Sequence, residues 1–241
     1  MECLVDIHQH LLYGMDDGPE KWELTLRMLQ TAQEQNVWKI VATPHARPGR
    51  YHFDYSGMVR KLNAINEYAW RQGWQVRIFP GAEIYYTPDT VRCLDERRVA
   101  TLAQSQAVLV EFSPSIGYDQ LYQAIRDLAN GGYKPVLAHI ERYECLVSRP
   151  ERTYELKNQF EAKLQMNCQT LLRQSGFSLN RFCHKLLIND TIDFVASDAH
   201  NITSRPSCLQ ECYKYLGKKY GEELAYRLTG GNQRAFLECL R

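Results

Sequence analysis

The chain has no CxxC pair, no glycine-rich phosphate loop, no long apolar run and almost no excess of either charge. Each absence removes a class of function. Its eight cysteines are scattered singly, so reduced thiols are expected rather than a disulfide framework or a cysteine-based zinc site. Neither GxGxxG nor GxxxxGK[ST] follows an apolar run, which argues against a doubly wound nucleotide-binding sheet. No GxSxG elbow supports a serine hydrolase. A cysteine phosphatase needs arginine six positions after its nucleophile, so that one loop supplies the thiolate and wraps the phosphate. Here arginine follows Cys93 and Cys168 by five positions and Cys145 by seven. No stretch is long and apolar enough to span a bilayer, and no cationic leader precedes the first apolar run. A soluble cytoplasmic protein is therefore expected, without membrane insertion. Lys and Arg number 29 against 28 Asp and Glu, a net charge of +1. That balance argues against a dedicated nucleic-acid binder.

What the chain does have is material for one α/β domain spanning residues 1–241, with 44% hydrophobic residues for its core. Apolar or β-branched runs predict strands at Cys3–Ile7, Lys39–Thr43, Val76–Gly81, Ala107–Glu111, Pro135–His139, Lys163–Asn167 and Asp193–Ser197. Helical periodicity falls between them, at Glu20–Gln35, Tyr55–Gln72, Tyr118–Asn130 and Leu179–Asn189, with Trp22, Leu26, Leu29 and Ala32 sharing one face of the first. Ser207–Leu216, Glu222–Leu228 and Asn232–Leu240 close the chain as helices. Strands alternating with helices imply parallel pairing, and a closed or distorted β/α barrel of about seven strands is expected.

Chemistry gathers where those strands end. The first leads into "DIHQH", with His8 and His10, then Asp16 and Asp17. His45 closes the second, Glu83 the third, Glu111 the fourth, and His139 the fifth with Arg142 three residues on. Asp198 and His200 close the seventh, whereas the sixth offers Asn167 and no strong ligand. Five of the seven histidines stand at strand ends, and a parallel barrel brings such ends to one face. Carboxylates so concentrated would repel one another unless cations neutralised them. His8 and His10, two residues apart, share one face of a strand and can chelate one ion. Histidine and carboxylate ligands without cysteine suit Mn²⁺, Fe²⁺ or Zn²⁺.

Together "DIHQHLLYGMDDG", "ATPH", "GAEI", "VEFS", "LAHIERY" and "ASDAH" resemble the polymerase-and-histidinol-phosphatase (PHP) superfamily. More narrowly, they are similar to the manganese-dependent bacterial tyrosine-protein phosphatases of capsule and exopolysaccharide operons. The resemblance runs from about residue 4 to residue 206 and implies a distorted seven-stranded barrel with three divalent ions. It implies His8, His10, Glu83 and Asp198 around the first ion, and Glu83, Glu111 and His139 around the second. Asp17, His45 and His200 would hold the third, with Asp16 as the fallback for Asp17. Asp17 and Glu111 stand where several relatives carry histidine, and the added oxygens favour Mn²⁺. Arg142 and Arg205 match phosphate-contacting arginines and, with Asp198, form the implied catalytic set; a hydroxide bridging two ions would be the nucleophile. Gln9 and Tyr13 depart from the residues common in the family, at positions that bear on substrate fit. The expected substrate is a phosphotyrosine segment of a cognate bacterial tyrosine kinase. A small phosphomonoester such as histidinol phosphate, a nuclease activity, or non-catalytic binding of a kinase tail are the alternatives.

Some residues remain outside these motifs. Arg47, Arg50, Tyr51 and His52 either rim the pocket or form an ordinary exposed loop, and Tyr85, Tyr86 and Tyr118 either wall the site or pack locally. His184, within a helix, is expected to be structural.

Overall fold

The computed structural model describes residues 3–173 and 176–238. Its strands are β1 (Leu4–Gln9), β2 (Val37–Ala42), β3 (His45–Ala46), β4 (Arg77–Pro80), β5 (Glu83–Tyr85), β6 (Ala107–Glu111), β7 (Lys134–Leu137), β8 (Lys163–Asn167) and β9 (Phe194–Ala196). All pair in parallel, in the orders β1-β2-β4 and β3-β5-β6-β7-β8-β9.

The expected parallel β/α architecture is present as a curled sheet, but the expected count of about seven strands is replaced, among the described residues, by two sections of three and six strands. Two expected strands each continue, after a break, into a short strand that was not expected. The second stops at Ala42 and resumes as β3 after Pro44, which has no N–H for a ladder. The third stops at Pro80 and resumes as β5 after Gly81, where a Cβ would stand 2.7 Å from Val41 Cγ1. Beyond β9 the chain returns to the first strand, with Asp198 N–H donating to the His8 carbonyl and His10 N–H to the Ala199 carbonyl, both at 2.9 Å.

Alternate strand residues divide between two buried clusters. Leu4, Ile40, Val108, Val110, Leu137 and Val195 pack with the helices. Val5, Ile7, Val41, Leu109, Val136 and Ala196 pack with one another. That second group unites strands far apart in the sheet order, which requires the sheet to curl around it.

Helix Tyr118–Asn130 has its expected bounds, and Gly132, at φ 82°, follows its end. Helix Trp22–Glu34 buries Thr25, Met28, Leu29 and Ala32, so its apolar face is rotated relative to the expected one and Leu26 is only half-buried. Helices Thr90–Asp95, Glu144–Val147, Glu151–Phe160 and Cys168–Arg173 had no sequence signal strong enough to name them. The last helix runs Asn232–Glu238, and Cys239 and Leu240, assigned to it from sequence, lie outside the described residues. No helix among the described residues is long and apolar enough to cross a membrane.

Candidate metal centre

A β-bulge aims the two histidines of "DIHQH". Asp6 pairs with Ile40 and Gln9 with Ala42, so β1 advances three residues while β2 advances two. Ile7 and His8 therefore both lie opposite Val41, on the concave side of the sheet, and His10 follows on that side. Asp6 ties this bend down, accepting from the backbone N–H of His8 at 3.3 Å and of Ser197 at 3.1 Å.

Glu83 stands at the centre and is almost fully buried. Its Oε2 lies 3.3 Å from His8 Nε2, 3.2 Å from His10 Nε2 and 3.1 Å from His45 Nδ1, and its Oε1 lies 2.7 Å from His139 Nε2. Asp198 Oδ1 is 3.5 Å from His8 Nε2 and 3.4 Å from His10 Nε2. His139 and Asp198 both have left-handed backbones, at φ 33° and 51°. Such conformations cost about 1–3 kcal/mol each and are typical of functional turns. The turn after His139 also brings back Arg142, whose N–H donates to the His139 carbonyl at 2.9 Å.

Three groups of ligand atoms result, each within 4.8 Å: His8, His10, Glu83 and Asp198; His45, Glu83 and Glu111; and His10, Asp17, His45 and His200. The first is the set that the family resemblance implies around one ion. In the second, His45 stands where His139 was expected, although His139 Nε2 is 3.9 Å from Glu111 Oε2. His45 uses its two nitrogens towards different groups, with Nε2 3.5 Å from Asp17 Oδ1. Asp17 Oδ1 is also 3.4 Å from His200 Nε2, so Asp17, not Asp16, faces the cluster.

Asp16 has another task, invisible in the spacing. Its Oδ2 accepts from His10 Nδ1 at 2.6 Å and from His45 N–H at 2.8 Å. Gly18 makes room for this, because a Cβ there would come 2.6 Å from the His10 carbonyl oxygen. Strand β8 was also underread. Gln165 Oε1 accepts from His139 N–H at 2.9 Å and from His8 Nδ1 at 3.0 Å. Gln165 Nε2 donates to Asn167 Oδ1, and Asn167 Nδ2 to Asp198 Oδ2, both at 2.8 Å. With Nδ1 of His8 and of His10 turned to these acceptors, the Nε2 atoms are the ones left facing the cluster. Paired polar residues facing the concave side of β8 were the available signal.

Arg142 Nη2 lies 2.7 Å from Asp198 Oδ2, and Arg205 Nη2 lies 3.1 Å from both Asp198 oxygens. Both expected phosphate-binding arginines therefore flank the same carboxylate. His184 is exposed on its helix, 3.0 Å from the Tyr220 hydroxyl. Tyr86 and Tyr118 donate to Asp127 and Glu155 rather than facing the cluster. Tyr51 stacks on His45, ring centroids 5.3 Å apart and planes 7° from parallel.

The electrostatics calls for cations. Burial by itself would raise the Glu83 and Asp198 carboxyls, but the imidazoles facing them hold both well below the ordinary range. Burial would lower His10, yet the Asp16 carboxylate lifts it well above its ordinary value; the charges of Glu83 and Asp198 lift His8 in the same way. Buried atoms His45 Nδ1, Glu111 Oε1 and His200 Nε2 lie within ion-pair reach of other residues of the cluster but make no hydrogen bond among the described residues. Lone pairs aimed at shared centres rather than at donors fit divalent ions.

Comparison with known proteins agrees with this chemistry. The family described as capsular polysaccharide synthesis, CpsB/CapC, matches residues 4–238. Tyrosine-protein phosphatase CpsB of Streptococcus pneumoniae is 32% identical over 245 residues, covering 97% of this chain and 98% of the relative. A chain from the crystal structures of YwqE from Bacillus subtilis and CpsB from Streptococcus pneumoniae, described as unique metal-dependent tyrosine phosphatases, superposes with a TM-score of 0.88. It is 30% identical, over 99% of this chain and 96% of that one. Histidinol phosphate phosphatase from Lactococcus lactis, complexed with zinc, L-histidinol and phosphate, superposes with a TM-score of 0.61, over 90% of this chain and 94% of that one. At 15% identity the likeness is one of fold alone.

Proposed function

Because the chain belongs to the CpsB/CapC family, we propose that it is a metal-dependent phosphatase that hydrolyses phosphotyrosine on a bacterial tyrosine kinase of polysaccharide export. The single observation that carries this reading is the convergence of His8, His10, Asp17, His45, Glu83, Glu111, Asp198 and His200 into three overlapping ligand groups, with two arginines beside them. His139, 2.7 Å from Glu83, completes the set. Three divalent ions, Mn²⁺ favoured, are the proposed cofactors, and the cytoplasm the proposed compartment.

Bound divalent ions supply positive charge for the phosphoryl oxygens and activate water at neutral pH. Glu83 belongs to two of the ligand groups and so sets their spacing. Arg142 and Arg205 are long enough to leave Asp198 for an incoming phosphoryl group, and each offers paired donors to non-bridging oxygens. They grip the transition state as charge redistributes along the line of displacement. The phenolate released from phosphotyrosine has a conjugate acid of pKa about 10, so its departure needs little help from a general acid.

The test is phosphate release from a phosphotyrosine peptide and from histidinol phosphate, with Mn²⁺ added or removed by a chelator. Peptide hydrolysis that depends on Mn²⁺ is expected. Undiminished turnover after exhaustive chelation, or turnover of histidinol phosphate alone, would refute the reading.

A further inference from the structure

Beside the cluster runs a groove of about 770 Å³, opening along the loop that follows His45. Its chemistry is basic and aromatic. Arg47 lies over the Tyr85 ring, its guanidinium carbon 4.2 Å from the centroid, and Arg50 lies 5.1 Å over the Tyr51 ring. Neither arginine has an ion-pair partner among the described residues, unlike Arg98 on the same wall, which holds Glu96 at 2.7 Å. The one acid lining the groove among the described residues, Asp54, spends its Oδ1 on the N–H of Gly57 and the Ser56 hydroxyl, each at 2.9 Å. Two unpaired cations and an acid turned to its own helix leave a wall that wants negative charge.

The groove continues the catalytic face. His45 pairs with Glu83 and Ala46 with Ile84; one step further, Arg47 meets Tyr85. Arg47 is two residues beyond His45, about 7 Å along an extended chain. The loop is also preformed: Tyr51 N–H donates to the Arg47 carbonyl at 2.8 Å, Arg47 N–H returns to Tyr51 at 3.2 Å, and Gly49 makes the turn at φ 76°. The Tyr51 ring, stacked on His45, forms the shared wall.

We infer that this groove binds the peptide flanking the phosphotyrosine and selects acidic residues there, through Arg47 and Arg50. The inference rests on the proposed phosphotyrosine activity and names the substrate class within it. An extended peptide advances about 3.3 Å per residue, so side chains about two to four positions from the phosphotyrosine reach the two arginines. A concave wall whose aromatic rings lie under guanidinium groups suits carboxylate side chains better than a flat lipid surface, which needs protruding apolar groups.

The experiment uses Mn²⁺-loaded full-length protein and two nine-residue peptides with central phosphotyrosine, one flanked by glutamates and one by lysines. It measures kcat/KM for each, and the Kd of matching peptides carrying a non-hydrolysable phosphonate by fluorescence anisotropy. The glutamate peptide is expected to be favoured by about tenfold in both measurements, the preference shrinking with added salt. Arg47→Glu/Arg50→Glu should abolish or reverse that preference. Arg50→Glu alone, at an exposed position, should weaken it without threat to folding. Equal values for the two peptides, or a preference that survives in the double variant, overturn the inference, whether or not the variants lose affinity for phosphatidylglycerol vesicles. If neither peptide nor free phosphotyrosine releases phosphate, the proposed activity fails instead, and the phosphonate titration still reads the groove.

Discussion

Gln165 Oε1 lies 3.0 Å from His8 Nδ1, although 157 residues separate them in the chain. The same oxygen accepts from the His139 backbone N–H, which identifies it as the acceptor and makes His8 Nδ1 the donor. Through Asn167 the amide pair also reaches Asp198.

Gln165→Leu should therefore weaken Mn²⁺ affinity about 10–100-fold, the cost typical of losing a ligand's outer partner. A competition titration against a chelating dye reads this directly, without turnover. Gln165→Glu should recover part of the affinity, since a carboxylate oxygen can still accept from His8. Wild-type affinity in a folded Gln165→Leu protein would show that the amide does not orient the ligand.

Arg142→Ala and Arg205→Ala should each lower kcat/KM for a phosphotyrosine peptide by about 10²–10³, the scale of losing one transition-state donor. Metal content should stay near wild type, because guanidinium cannot act as a ligand. Elemental analysis of the purified variants checks the second half. An emptied site, or unchanged turnover, would remove that arginine from phosphoryl handling.

Mn²⁺ binding should release protons and weaken as pH falls. His8 and His10 are raised above the ordinary 6.5 in the ion-free protein, so an ion must displace protons from them. The sign for ion-free stability is opposite. A histidine raised in the folded state stabilises fully below its unfolded value of about 6.5 and loses that contribution as pH climbs through the folded value. Melting temperature should then fall from pH 6.5 upward without Mn²⁺, while the gain on adding Mn²⁺ grows. Calorimetry in two buffers of different ionisation heat counts the protons; zero release contradicts the expectation.

Replacing any single cysteine by serine or alanine should leave kcat intact wherever the variant folds. Burial pushes the Cys183 thiol up to about 12 and raises the buried Cys168 thiol well above its ordinary value. Neither is a thiolate at neutral pH. A folded variant with abolished turnover would bring a thiolate mechanism back.

The convergence of the candidate ligands was legible because strands of a parallel sheet end on one face, and His8, His10, His45, Glu83, Glu111, His139, Asp198 and His200 recur at or just beyond those ends. Local patterning also sufficed for helix Tyr118–Asn130. The division of labour between Asp16 and Asp17 was not legible, since adjacent residues differ only in what the fold puts opposite them. Gln165 and Asn167 read as ordinary strand polarity until β8 lies beside β7 and β9.

Alternation along "DIHQH" already dictated that His8 and His10 share a face, because successive side chains of a strand point opposite ways. Which face could not be read locally. In a regular strand both would point to the side of Leu4, under the helices; the extra residue between Asp6 and Gln9, measured against Ile40 and Ala42, shifts them to the concave side. A bulge is a mismatch between two strands, and β2 joins β1 only after the chain has passed through helix Trp22–Glu34. The imidazoles were written in the residues, and their direction came from the pairing.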